Sequence, residues 1–165
     1  PVVWSALRSG LRPSLRSDQT TDPTGHHSRR STGHRSCRRA AWLIRRFIDP
    51  EASFKFVEGK GYVPEPDELR FDMADAEFTH EGDRCSFETL VFLTGLETDP
   101  ALRALGEIVH DLDIADARFE RPETPGVSAL IAGICAGTDD DEERIARGST
   151  ALDGFYAHFT RRKED

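Results

Sequence analysis

The spacing of apolar positions changes from helical to alternating and back to helical along the chain. Leu43, Ile44, Phe47 and Ile48 recur at helical spacing, and at about 100° per residue this sets Trp42, Arg45 and Arg46 on the opposite face. Asp49-Pro50 closes that helix. In S-F-K-F-V-E, Ser53 to Glu58, Phe54 and Phe56 alternate with other residues as in a half-buried strand. Leu69, Phe71 and Met73 repeat the pattern, and Ala76 to His80 is a third candidate strand. Beyond them, Phe87 to Thr94 predicts a helix stopped by Gly95. Asp99-Pro100 opens a helix that carries Leu102, Leu105, Ile108, Val109 and Leu112 inward, with His110 off the stripe near Glu107. Val127, Leu130, Ile131, Ile134 and Cys135 form the next stripe, which puts Cys135 in the core. Asp139, with Glu142 three residues on, opens a last helix burying Ile145, Leu152, Phe155, Tyr156 and Phe159. The expected fold is α+β, a mainly helical single domain with a small early β-sheet.

Composition divides the chain. Residues 1–40 are rich in Arg, Ser, Thr, Gly and Pro with little periodic hydrophobicity, so a disordered basic tail is expected there and the domain at 41–165. The net charge of −8 conceals this division, because residues 41–165 hold 14 basic and 28 acidic residues and carry −14. A domain that acidic lacks the cations that phosphates require, so direct nucleic-acid binding is not expected of it. Cys37, Cys85 and Cys135 are too few and too widely spaced for a disulfide framework or a C-x-x-C zinc pattern, which favours a reducing cytoplasm. No apolar run approaches the roughly 20 residues that span a bilayer, and no membrane association is expected.

The chemistry-bearing residues concentrate in F-T-H-E-G-D-R-C-S-F-E, Phe78 to Glu88. His80 shares a strand face with Phe78, Gly82-Asp83 turns the chain, and Ser86 can N-cap the helix that follows. Cys85, beside Arg84 and just before a helix start, is a candidate reactive thiolate or redox reporter with a lowered pKa, with a plain packing role as the favoured alternative, and His80 is a candidate partner in catalysis. The leading candidate site for a metal ion or oxyanion is His80, Cys85 and Glu88 with His110, Asp111 and Asp113, of which His80, Glu88, His110 and Asp113 supply the imidazole and carboxylate donors that suit zinc, manganese or iron if they converge. The competing reading makes His80 a hydrogen-bonded inward histidine, His110 an exposed helix-end residue and the aspartates caps. Arg45 and Arg46, flanking Trp42, together with Arg84, are candidate contacts for a tetrahedral oxyanion, since guanidinium donors fork onto such oxygens. Their alternative is pairing with the acids, which outnumber the bases two to one in this part of the chain.

Three blocks in order, A-W-L-I-R-R-F-I-D-P (Ala41 to Pro50), F-T-H-x-G-D-x-C-S-F-E (Phe78 to Glu88) and I-V-H-D-x-D (Ile108 to Asp113), resemble the C-terminal domain of the bacterial chromate-resistance family of ChrB type. The resemblance implies a chromate-resistance accessory or sensor domain in the cytoplasm that binds chromate or a similar oxyanion, or a metal ion, and works with a chromate exporter system under chromate stress. DNA binding in a regulator of this family falls to an N-terminal domain. The alternative is a small metal-dependent redox enzyme built on the histidine and carboxylate donors.

The family pattern D-R-x-A-x-A-W-L is broken just before Ala41, where this chain reads Ser36-Cys37-Arg38-Arg39-Ala40. Codons permitted for His34 to Ala40 restore T-D-R-V-A-A when read one nucleotide later, so residues before Ala41 are expected to come from a shifted reading frame. The gene sequence tests this expectation: codons that give no Asp-Arg-Val-Ala in a neighbouring frame refute it.

Overall fold

Three short strands pair into one antiparallel sheet in the order β2-β1-β3, where β1 is Val2–Ser5, β2 is Ser53–Phe56 and β3 is Glu68–Phe71. The structure, a computed structural model, describes residues 2–5, 39–57, 62, 63, 65, 68–71, 83–114 and 116–161. Trp4 stands opposite Phe54 on one side and Leu69 on the other. The predicted strands at Phe54-Phe56 and Leu69-Phe71 are present, whereas the candidate at Ala76 to His80 lies outside the described residues. The middle place goes instead to V-V-W-S at the start of the chain. Its β-branched and aromatic residues suit a strand, but Val3 and Trp4 are both buried, so no inside-outside alternation marks it in the sequence. The Trp4 indole N–H donates to Asp49 Oδ2 at 3.1 Å, which ties the sheet to the end of the first helix.

The helices begin at residues 39–43, here α1, which run without a break into a π-helical turn, Ile44–Ile48. The expected boundary at residue 41 falls inside α1, and Arg39 and Ala40 are buried. Trp42 is also buried, although the helical period sets it opposite the apolar arc with Arg45 and Arg46. It lies parallel to Phe87 with ring centroids 6.3 Å apart, and its indole N–H donates to Asp153 at 3.0 Å. The face opposite Leu43 and Ile44 is covered by the last helix, and a period alone cannot show that both sides of a helix are covered.

Helix α2 is Ser86–Leu93, α3 Pro100–Asp113, α4 Thr124–Gly137 and α5 Asp141–Arg161. Gly95 at φ +75° ends α2 in the left-handed conformation that glycine adopts without steric cost. Asp99 caps α3, accepting from the N–H of Ala101 at 2.8 Å and Leu102 at 3.2 Å, and also accepts the Tyr156 hydroxyl at 2.8 Å. Helix α3 is central, packing against α2, α4 and α5, and Leu102, Leu105, Ile108 and Val109 are buried as its stripe predicts. The α4 stripe is narrower than predicted: Val127 and Ile131 are buried, Cys135 is half-buried, and Leu130 is 44% exposed. The cap of α5 is Asp140 rather than Asp139, because Asp140 Oδ1 accepts from the N–H of Glu142 and Glu143. No helix among the described residues is long and apolar enough to cross a membrane.

One buried ion pair joins the two ends of this helical core. Arg39 on α1 meets Asp113 on the last turn of α3, with side chains 4% and 2% exposed. Breaking such a pair strands a charge in the interior. Asp113→Ala is therefore expected to destabilise the fold by about 3–5 kcal/mol. The double variant Arg39→Met/Asp113→Leu should recover most of that loss, with both read from urea unfolding midpoints.

Candidate metal centre

The turn into α2 brings the first two members of the site together. Cys85, not the expected Ser86, is the N-cap: its sulfur accepts the backbone N–H of Glu88, while Glu88 Oε2 accepts the backbone N–H of Cys85 at 2.9 Å. This reciprocal pair fixes the Glu88 carboxylate beside the thiol. The last turn of α3 brings the third member, since His110 Nδ1 lies 2.7 Å from the same Glu88 oxygen. The donor atoms of Cys85, Glu88 and His110 all lie within 4.8 Å of one another. His110 was expected to point away from the apolar stripe and is instead fully buried, because α2 packs over the flank of α3 that the stripe leaves polar.

A loop closes the other side of the imidazole. His110 Nε2 is 3.3 Å from Asp116 Oδ2, and the Phe119 ring meets the imidazole edge-on at a centroid distance of 5.0 Å. Asp116 and Asp111 hold this loop by accepting the backbone N–H of Arg118 at 3.1 Å and of Phe119 at 3.0 Å. Ala117 and Glu120 adopt φ of +53° and +46°, a conformation that costs a residue other than glycine on the order of 1 kcal/mol or more. Sequence reasoning missed Asp116 and Phe119. They lie beyond the helix end, and no periodicity predicts where a loop returns.

The electrostatics follow from these contacts. A neutral imidazole has one N–H, so between two carboxylates one ring nitrogen would present its lone pair to an oxygen. A cation resolves the conflict, either a proton on both nitrogens or a metal ion in place of the Nδ1 proton. Burial opposes the charged ring, but the hydrogen bonds with Glu88 and Asp116 and their charges outweigh it, so the pKa of His110 is raised. Cys85 is buried, and its thiol does not show the lowered pKa that a reactive thiolate requires. Burial raises its thiol far above the ordinary range, Asp113 and Glu88 push the same way, and the hydrogen bond from the Glu88 backbone only partly offsets this. Arg84 does not counter the effect, because its guanidinium lies over the Phe92 ring at 4.2 Å. Without a cation the thiol stays protonated; a bound metal ion would favour the thiolate.

The other candidate residues are distributed elsewhere. Asp113 faces Arg39, although its charge reaches Cys85. Arg45 donates to the Ala52 carbonyl at 3.0 Å and pairs with Glu142 at 3.2 Å; Arg46 pairs with Asp153 at 3.4 Å. Both arginines therefore meet acids, the alternative considered for them, and they sit on the α5 side of the fold, outside the cysteine, glutamate and histidine cluster. His80 lies outside the described residues.

The comparison with known proteins agrees with the three sequence blocks. The family described as "ChrB, C-terminal domain" matches residues 36–159. The chain belongs to this ChrB family. It is 41% identical over 120 residues to "Protein ChrB" of Cupriavidus metallidurans (strain CH34), an alignment covering 73% of this chain and 36% of that relative. The chain thus spans about a third of the length of that ChrB protein. No solved structure matches.

The raised pKa of His110 gives a pH prediction for the metal-free chain. Its ionic contribution is full below the unfolded value of 6.5 and is lost as pH rises through the higher folded value. Urea midpoints measured upward from pH 5.5 should fall across that interval in the wild type. The fall should be absent in His110→Ala; an equal fall in the variant would place its origin elsewhere.

Proposed function

We propose that this ChrB-family domain serves in chromate resistance as an accessory or sensor domain that holds one divalent cation between Cys85, Glu88 and His110. The convergence of these donors, from the start of one helix and the end of another, carries the reading. Thiolate, imidazole and carboxylate together suit zinc best, with manganese and iron as harder-ligand alternatives. Asp116 supports the reading from the other side of the ring: a ligating histidine commonly donates its second N–H to a carboxylate, which fixes the tautomer and strengthens the ligand. Three protein donors leave a coordination position for water or an incoming ligand. That position is what a metal-dependent enzyme would use, so turnover is the second reading of the same site. An oxyanion site at Arg45 and Arg46 is less favoured, because both already pair with acids.

In this proposal the domain works in the cytoplasm beside a chromate exporter system, and contacts with DNA fall to another part of a longer protein. The acidic balance of residues 41–165, at −14, supports the last point.

Elemental analysis of untagged protein, before and after offering zinc, manganese and iron, is expected to find near one equivalent of metal. Cys85→Ser, Glu88→Gln and His110→Ala should each lose most of it while retaining helical circular dichroism. Asp116→Asn should bind zinc about 10–100-fold more weakly in competition with a chromogenic chelator. Wild-type protein that retains no metal under any of these conditions would refute the proposal. Chromate binding by metal-free protein, lost in Arg45→Gln/Arg46→Gln, would return the choice to the arginines.

A further inference from the structure

Of the three donors of the cluster, Cys85 and His110 have no exposed surface, whereas the Glu88 side chain is 22% exposed. That exposed edge opens into a cleft of about 340 Å³ where α2 packs on α3. Among the described residues, the route from solvent to the donors therefore runs through this cleft. Phe119 lines the cleft as well, and the same ring stands edge-on against the His110 imidazole. Phe119 is half-buried, while its neighbours Asp116, Ala117, Arg118 and Glu120 are exposed. The segment that carries this ring is fastened at few points. The Phe119 N–H donates to Asp111 Oδ1 at 3.0 Å, Asp116 faces His110 Nε2 at 3.3 Å, and Arg118 comes no nearer than 3.9 Å to the exposed Asp83. Asp111 Oδ2 is buried with no hydrogen-bond partner, a costly placement for a carboxylate whose other oxygen holds the loop. Ala117 and Glu120 bracket Arg118 and Phe119 in the left-handed conformation, at φ +53° and +46°. Strain of this kind persists only where surrounding contacts impose it, and it is released when they open. On either side the chain is firm: the Ile114 N–H donates to the His110 carbonyl at 2.9 Å, and Arg121 pairs with Glu107 at 3.2 Å. A short strained stretch between two fixed points, latched by single contacts, is built to open locally.

We propose that residues 116–120 form a lid over the metal centre, latched by Asp111 and plugged by Phe119, that opens to admit or release a divalent cation at Cys85, Glu88 and His110. The lid rests on the reading of these three donors as a metal centre and gives that centre a regulated entrance. Closed, it holds the outer edge of the imidazole through Asp116 while Nδ1 faces Glu88. Open, it removes the outer wall of His110, so that the ring can turn away from Glu88 and the cleft reaches the donors. Phe119 and Asp111 are positioning residues, since neither belongs to the donor cluster. A lid that governs passage alone scales entry and release by the same open fraction and leaves the equilibrium affinity unchanged. A side chain that merely supports the site changes release and affinity together.

The test is stopped-flow zinc exchange with the full chain, in wild type, Phe119→Ala and Asp111→Ala, with zinc addition reading entry and a chromogenic chelator reading release. Both variants are expected to take up and release zinc about tenfold faster, with Kd within about threefold of wild type. Faster release without faster entry, or both rates unchanged, would overturn the lid. Thermal melts check that each variant is folded, and Asp111→Ala carries the test if Phe119→Ala proves unstable. A second readout needs no metal: modification of His110 by diethyl pyrocarbonate in the metal-free chain, followed by peptide mass mapping. The reagent needs an accessible imidazole, so His110 should react about tenfold faster in each variant while the exposed His158 reacts at an unchanged rate. Equal His110 rates in wild type and both variants would refute the lid whether or not zinc binds. Faster modification in a chain that takes up no zinc would overturn the metal centre, and with it the entry role of the lid.

Discussion

One carboxylate oxygen, Glu88 Oε2, holds the centre of this fold together. It accepts the backbone N–H of Cys85, which starts α2, and faces His110 Nδ1, which ends α3. The contact that caps one helix therefore also docks it on the next. With the Glu88 side chain 22% exposed and the imidazole 1%, the pair lies at the edge of the core, where an interaction between charges is screened less than at the surface. The cluster of three donors follows from this arrangement: once Glu88 is fixed by its capping role, the thiol and the imidazole are brought within ligand distance of each other.

The polar interior extends from that point. The Arg39 and Asp113 pair lies beneath it, joining α1 to the end of α3, and Asp113 adds its charge to the field that keeps the Cys85 thiol protonated. The Asp116 carboxylate closes the outer side of His110, and the Phe119 ring packs beside it. Groups of opposite sign, from the buried Arg39 and Asp113 to the exposed Asp116, thus adjoin one another beside otherwise apolar packing. Removing one member changes the electrostatics of the others, which is why this region joins stability to ligand chemistry.

The two arginine settings also contrast. On the α5 side, Arg45 and Arg46 are matched by Glu142 and Asp153, and the result is a fastened helix-helix contact. Beside α2 and α3, Arg84 and Arg103 pair with no carboxylate among the described residues and border a cleft. Residue type alone could not separate the two cases, because an arginine next to aromatic residues reads the same whether or not an acid from a distant helix reaches it. The physical distinction is neutralisation, and that depends on segments far apart in the chain.

By itself the sequence determined the class of fold, the helix stripe of α3 and two of the three strands. Those depend on local periodicity and on stop signals such as Gly95 and Asp99-Pro100. The three family blocks were also legible, and with them the membership and the three residues of the converging cluster as parts of a wider candidate site, Glu88 and His110 as ligands and Cys85 beside them. The tertiary structure alone decided that Cys85, Glu88 and His110 are the members that converge, that Cys85 is an acid-surrounded, protonated thiol, that His110 is buried, and that Asp113 is diverted to Arg39. It alone decided that Val2–Ser5 is the middle strand and that Asp116 returns to the imidazole. Each of these depends on which faces meet, and the local pattern of a segment does not record what another segment brings against it.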